Sequence, residues 1–249
     1  MTFSVLLSIY HRTQADELAK CLDSLLSQTL PADEVVVIKD GPLQPDVDRC
    51  LQDYTGQLPI RLFSYPKNRG LGPVLADSLI RCKHELVARV DTDDRCLPGR
   101  FSVQIDYLHR NKDISVVGGA LQEYYTNNIT HKSVIRNGPI TPSEVAKFAK
   151  RRNPLNHPTV MFRKSHVLSC GGYEECDFFE DYYLWAKMIH HGYRIANIPN
   201  ILVETDVTAD YFKRRGGLSY IAKELHLLKR LRQLCFFSML DGIVFVSTR

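Results

Sequence analysis

The sequence predicts an α/β protein built on a mixed, mostly parallel sheet with helices on both faces. Two observations predict it. Short β-branched runs alternate with helical periods through the first 120 residues, and those runs are apolar on both sides, as strands covered by helices above and below must be. The chain has 249 residues, 44% hydrophobic and 24% charged, enough to bury a core as one large or two small domains; disorder, collagen and mini-protein scaffolds are excluded.

Phe3 to Tyr10 reads as a strand, and Leu18, Leu22, Leu25 and Leu26 recur at helical spacing until Pro31 stops that element. Val35 to Lys39 is a second strand, Val47 to Tyr54 a helix and Ile60 to Ser64 a third strand. Gly72 to Cys82 is a helix with Pro73 in its first turn, where a missing N–H costs nothing. Leu86 to Val90 is the next strand, Pro98 to Asn111 a helix turning Phe101, Ile105 and Leu108 inward, and Ile114 to Val117 a strand ended by Gly118 and Gly119. The order is βαβαβαβ, and ligands of such sheets lie beyond the carboxyl ends of the strands. After residue 120 the alternation loosens: Thr141 to Glu144 is a helix start, Thr159 to Phe162 a strand, and Asp181 to His191 a helix closed by Gly192. With no linker and no repeat, residues 1–208 read as one two-part domain, 1–120 shaped for a nucleotide and 121–208 for something else. Residues 209–249 form a separate C-terminal region.

The net charge of +4 is unevenly spread. From Ala209 to Arg249 eight Lys or Arg stand against three Asp or Glu, a net +5, which leaves 24 basic and 25 acidic side chains before it. A neutral body with a basic, apolar-rich end points to a docking element for something anionic such as a phospholipid headgroup, and away from nucleic acid. Met1 to Tyr10 has no basic start and no small-residue cleavage site, so it does not read as an export signal. Seven cysteines without a C-x-x-C fit reduced thiols in the cytoplasm rather than disulfides or zinc.

The turn after the first strand, Tyr10-His11-Arg12-Thr13, lacks the glycine fingerprint of dinucleotide binders; Gly70-Leu71-Gly72 fails at its sixth position, Leu75, and no Walker lysine motif occurs. Phosphates must be held another way, and Asp91-Thr92-Asp93-Asp94, directly after the Leu86 to Val90 strand, offers one. Two carboxylates ~5 Å apart repel by roughly 3 kcal/mol at an effective dielectric near 20. A hard divalent ion, manganese or magnesium, would relieve that, with substrate phosphates completing its shell. The bland alternative is a turn with Asp94 near the start of the next helix. Asp40, before Gly41 at the end of the second strand, is either a turn residue or the acceptor for a uracil ring N–H, and Tyr10 either a rim residue or a stacking partner for the same base.

At this point the chain resembles inverting glycosyltransferases of family 2, with the GT-A fold, over most of its length. The resemblance rests on Ser4 to Tyr10, on Gln28 to Gly41 ending in Asp-Gly, on Asp91-Thr92-Asp93-Asp94 and on Phe179-Glu180-Asp181-Tyr182-Tyr183-Leu184-Trp185, in that order. Asn68-Arg69-Gly70-Leu71-Gly72 and the segment Arg152 to Phe162 add to it. The latter is similar to a segment of bacterial enzymes that build O-antigen and exopolysaccharide repeating units on a lipid-diphosphate carrier. Position by position, the resemblance implies that Ser8, Tyr10, Asp40 and Asn68 hold the nucleotide-sugar, that Asp91 and Asp93 reach ribose, diphosphate and a Mn2+ or Mg2+ ion, and that Asp181 is the catalytic base.

The chemistry needs such groups. Displacing a nucleoside diphosphate from an anomeric carbon builds negative charge on the leaving oxygen, which a divalent ion stabilises, and a carboxylate takes the proton of the attacking hydroxyl. Glu180 and Asp181 open a helix on which neighbours point about 100° apart, so one faces the donor. Asp181 shares a face with Leu184, Trp185 and Met188 and is the choice; Glu180 would cap the helix or orient the acceptor, and two acids merely stabilising a helix start are the alternative. Asp94, His157, Trp185, Arg214 and Arg215 are the acceptor-side candidates, although a tryptophan at that spacing is more often core and a histidine before proline more often structural.

In the C-terminal region Leu218, Ile221, Leu225, Leu228 and Leu231 fall on one helix face with Lys223, Lys229, Arg230 and Arg232 elsewhere, a pattern that can lie on a membrane or pack on the body. Leu234 to Val246, broken by Asp241 and Gly242, falls short of the ~20 apolar residues a span needs. The family resemblance implies an inverting, metal-dependent, non-processive transfer of glucose or galactose from a UDP-sugar. The acceptor it implies is an N-acetylhexosamine on undecaprenyl diphosphate, linked β at its 3-hydroxyl, and the basic amphipathic end places the expected reaction at the inner face of the cytoplasmic membrane. Lys39, where the family more often has an acid, keeps a dTDP-sugar such as activated rhamnose as a second donor reading; an inert sugar-nucleotide-binding scaffold is the reading from another class.

Overall fold

A computed structural model of the chain describes residues 1–126, 131–207, 217–238, 241 and 245. Among the described residues nine strands form one mixed sheet. They are β1 (Phe3–Tyr10), β2 (Glu34–Asp40), β3 (Ile60–Tyr65), β4 (Leu86–Val90), β5 (Asp94–Cys96), β6 (Ile114–Thr126), β7 (His131–Arg136), β8 (Met161–Arg163) and β9 (Arg194–Val207). The order across the sheet is β3-β2-β1-β4-β8-β6-β9-β5, with β7 on β6. The first four strands are mutually parallel, β8 runs against both β4 and β6, and β9 runs with β6.

Helices cover both faces because the strands alternate apolar residues to each side. Phe3, Val5, Leu7 and Ile9 pack with Leu18 and Leu22 of α1 (Ala15–Leu26), Val47 of α2 (Pro45–Tyr54) and Phe101 of α4 (Arg100–Arg110). Leu6, Val36 and Val87 pack on the other side with Val74 and Leu75 of α3 (Leu71–Arg81), Val145 of α5 (Pro142–Phe148), Val167 of α6 (Lys164–Ser169) and Trp185 of α7 (Glu180–His190). Every residue of α7 from Asp181 to Met188 is buried, because α8 (Leu218–Gln233) covers its outer side with Leu227 and Leu231.

Three sequence expectations change. β6 does not end at Gly118 and Gly119 but bulges through them: a Cβ on Gly118 would lie 2.4 Å from Asn197 Oδ1 and one on Gly119 2.4 Å from Leu202 Cδ1, so the glycines let β9 come close. The expected strand Thr159 to Phe162 is a 3-10 turn at His157–Thr159 followed by β8. The leucine stripe of α8 splits, because each step of three falls about 60° short of a turn. Leu231 has rotated onto the body while Leu218, Ile221 and Leu225 face outward.

Candidate active site

β1 lies between β2 and β4, so successive connections leave it in opposite directions and open a crevice at the carboxyl ends of β1 and β4. Tyr10 ends β1, and Asp91 follows β4. Cys21 donates from Sγ to the Asp91 carbonyl at 3.2 Å and the Thr13 and Thr92 hydroxyls are 3.5 Å apart, tying the two loops together.

Ser8 and Tyr10 share the Leu6 face of β1, and Tyr10 pairs in register with Asp40 of β2. Both carboxylate oxygens of Asp40 are engaged: Asn68 Nδ2 at 2.9 Å and Gly70 N at 3.1 Å donate to one, Arg69 N at 2.7 Å to the other. Asp40 thus fastens the loop ahead of α3. Gly41, at φ +89°, fits because a Cβ there would meet Asn68 N at 2.8 Å. Lys39 is turned to the other sheet face, where it pairs with Asp48 of α2 at 2.5 Å.

Asp91, Asp93 and Asp94 each offer an oxygen within 4.8 Å of the others. Asp94 is held in β5, paired opposite Thr205 of β9, which buries it; burial and then Asp91 and Asp93 push its carboxyl well above the usual range. Such a set of hard oxygen donors, repelling one another, suits a small divalent cation with phosphates and water as remaining ligands. Beneath it Arg89, buried, bonds Asp91 through Nη1, while Arg89 Nε has no partner among the described residues.

Asp181, buried in the first turn of α7, accepts from Asn153 Nδ2 at 2.6 Å and from Tyr182 N at 2.7 Å. Glu180 diverges from it, its stem lying over Gly72 at the start of α3, and burial with Asp181 nearby raises its carboxyl. Between the two acidic groups sit His157 and Tyr173, joined at 3.0 Å from Nε2 to the hydroxyl. Burial pushes the tyrosine well up against the pull of Arg89, with Asp181, Asp91 and Glu180 adding to it. Burial and then Arg89 hold His157 well below its ordinary value.

Trp185 does not offer a sugar platform. It is fully buried in the core, its ring 6.2 Å from that of His157. Arg214 and Arg215 lie outside the described residues. Sequence reasoning missed Arg89, Asn153 and Tyr173; the available signal was an arginine inside an otherwise apolar strand, which is tolerated only with a partner.

A family model for glycosyl transferase family 2 matches residues 4–172. The amylovoran biosynthesis glycosyltransferase AmsE of Erwinia amylovora is 37% identical over 227 residues, 91% of this chain and 84% of its own. A UDP-Gal:alpha-D-GlcNAc-diphosphoundecaprenol beta-1,3-galactosyltransferase of Escherichia coli is 32% identical over 247 residues, 99% of this chain and 89% of its own. Among solved structures, a mannosyltransferase from Pyrobaculum calidifontis in complex with GDP-Man and Mn2+ superposes with a TM-score of 0.68 at 16% identity, covering 98% of this chain and 69% of that one. That likeness bears on the fold, which is GT-A.

Proposed function

The chain belongs to glycosyl transferase family 2, and from that premise we propose that it moves glucose or galactose from a UDP-sugar to an N-acetylhexosamine carried on undecaprenyl diphosphate. The transfer inverts the anomeric carbon, gives a β-1,3 linkage, adds one sugar per event and serves an O-antigen or exopolysaccharide repeating unit at the cytoplasmic face of the membrane. One observation carries this reading: an acid cluster at the carboxyl end of β4 and a carboxylate at the start of α7 flank a single polar group of Arg89, His157 and Tyr173. Relatives of similar length named for amylovoran and for a lipid-diphosphate acceptor support the substrate class.

Ser8 and Tyr10 present the face on which the uridine rests, and Asp40 with Asn68 fixes the loop beside it. Asp91 and Asp93 would hold Mn2+ or Mg2+, which when bound offsets the charge growing on the diphosphate. Asp181 Oδ, oriented by the Asn153 amide, accepts the proton of the acceptor hydroxyl as that oxygen attacks the anomeric carbon opposite the leaving group. Glu180, diverging from Asp181 at the same helix start, orients the acceptor sugar. Because Lys39 is paired with Asp48 away from Asp40, it does not argue for a thymidine donor.

The test is a screen of UDP- and dTDP-sugars against a synthetic N-acetylhexosamine-diphosphate-lipid with Mn2+, Mg2+ or chelator, followed by NMR of the product's anomeric carbon. A β-linked hexose from a UDP donor is expected. An α-linked product or undiminished turnover in chelator would overturn the reading.

A further inference from the structure

No helix of the described residues is long and apolar enough to cross a membrane. A lipid-borne acceptor calls for a surface that meets the bilayer. We propose that the outward face of α8 is that surface, and that it binds an anionic phospholipid bilayer; this rests on the lipid-diphosphate acceptor reading above. α8 is apolar on two opposite sides. Leu227 and Leu231 are fully buried against α7, and Leu218, Ile221 and Leu225 are 86%, 51% and 55% exposed on the far side. A helix that merely packs on a body has no use for a second apolar row.

Charge names the occupant. On the same outward side, toward the end of the helix, stand Lys229 and Arg232, exposed and without a carboxylate partner among the described residues. The remaining helix lysine and arginine are used by the body: Lys223 lies 4.0 Å over the Phe178 ring, and Arg230 pairs with Glu174. The one acid of α8 is Glu224, off the outward side. An apolar row of about two turns continued by free cations suits shallow insertion among anionic headgroups, each cation worth ~1 kcal/mol near such a surface. The same cations oppose a second copy of this helix, which would bring like charges together.

The placement serves the reaction. The inner flank of α8 packs on the loop entering α7: the rings of Tyr220 and Phe179 are 5.7 Å apart, and Phe178 and Phe179 directly precede Glu180 and Asp181. A bilayer held on α8 therefore keeps the base at a fixed height above the lipid surface on which the acceptor diphosphate is carried.

The experiment is co-sedimentation of the full chain with vesicles of phosphatidylglycerol and phosphatidylethanolamine, or of phosphatidylcholine alone, for wild type, Ile221→Glu/Leu225→Glu and Lys229→Glu/Arg232→Glu. Wild type should bind the anionic vesicles, less tightly as salt rises, and either double variant should lose about tenfold or more of that affinity. Thermal melts should be unchanged, since Leu227 and Leu231 are untouched. Transfer to a short-chain, water-soluble acceptor should match wild type in both variants. Absence of vesicle binding, binding that both variants retain, equal binding to phosphatidylcholine, or a wild-type dimer that Ile221→Glu/Leu225→Glu dissociates would each overturn the proposal. Failure of transfer with vesicle binding intact would count against the acceptor reading instead.

Discussion

Arg89 reaches Asp91 from beneath the acid cluster, its guanidinium bonded to the carboxylate while only 2% of its own side chain is exposed. The pair gives the cluster a built-in positive charge and fixes the direction of its first acid. Arg89→Met keeps the bulk and frees Asp91 from the direction in which it would meet an ion. Calorimetry with UDP and Mn2+ should then show affinity lowered about tenfold, or ~1.4 kcal/mol. The melting temperature should fall too, although water at partly exposed Asp91 softens the loss of the pair. Unaltered UDP affinity would show that Arg89 is only structural.

Asp181→Asn preserves shape and removes the base. Turnover should drop ~10²–10⁴-fold while UDP affinity stays at the wild-type value, since the carboxylate acts on the acceptor side. Asn153→Ala, which frees Asp181 from its 2.6 Å amide bond, should cost about tenfold and shift the acidic limb of the pH profile, because Asn153 acts through the base. A parallel loss of UDP affinity in Asp181→Asn would refute the assignment.

How far the residues alone could be read follows from where the apolar signal is dense. β1 to β4 are runs covered on both sides and stood out, and Asp91 was findable because it directly follows one of them. β5 has three residues and owes its existence to β9, whose stretch Leu202 to Val207 mixes apolar and acidic side chains in no clean period. Nothing in the pattern around Asp94 therefore signals its burial, which comes from a strand partner more than a hundred positions away. The engaged carboxylate of Asp40 was equally hidden, because its donors, two backbone N–H groups and the Asn68 amide, lie about thirty residues on. The double-sided α8 was legible as amphipathic; which leucines faced inward depended on α7.

Asp94→Asn should stabilise the protein without metal. The buried carboxyl is destabilised by burial and by two neighbouring acids, and the amide relieves both at nearly constant volume. A gain of about 1 kcal/mol corresponds to roughly 2–4 °C in melting temperature for a chain of this size. The variant should also gain less from added Mn2+ than wild type does, which differential scanning calorimetry with and without the ion would read. A lower melting temperature in chelator would disprove the repulsion.

His157 makes stability depend on mild acid. Burial and Arg89 disfavour the imidazolium in the folded state, so its pKa lies well below the ordinary 6.5. As pH falls through ~6.5 the unfolded chain takes up a proton that the folded chain refuses, so stability is intact above that pH and declines below it. Urea denaturation between pH 7.5 and 5 should show this decline in wild type and a flatter one in His157→Gln, which keeps a partner for Tyr173. Identical slopes would place the acid sensitivity elsewhere.

Gly72→Ala tests whether α7 is held in register by α3. A Cβ at position 72 would lie 2.8 Å from the Glu174 carbonyl and 2.9 Å from Glu180 Cγ, and a backbone oxygen cannot rotate away as a flexible side-chain end can. The loop entering α7 must therefore shift, and Asp181 with it. Overpacking costs ~1–3 kcal/mol, against a helix-propensity gain of up to ~1 kcal/mol for replacing glycine, so the melting temperature should fall only modestly. Turnover is more sensitive, because a base displaced by a fraction of an ångström loses alignment with the attacking hydroxyl. The expected result is a drop of about tenfold or more in kcat with UDP affinity retained, since Asp40, Asn68 and the acid cluster stay in place. Equal kcat in Gly72→Ala and wild type would mean that the start of α7 tolerates the shift and that Asp181 is positioned by Asn153 alone.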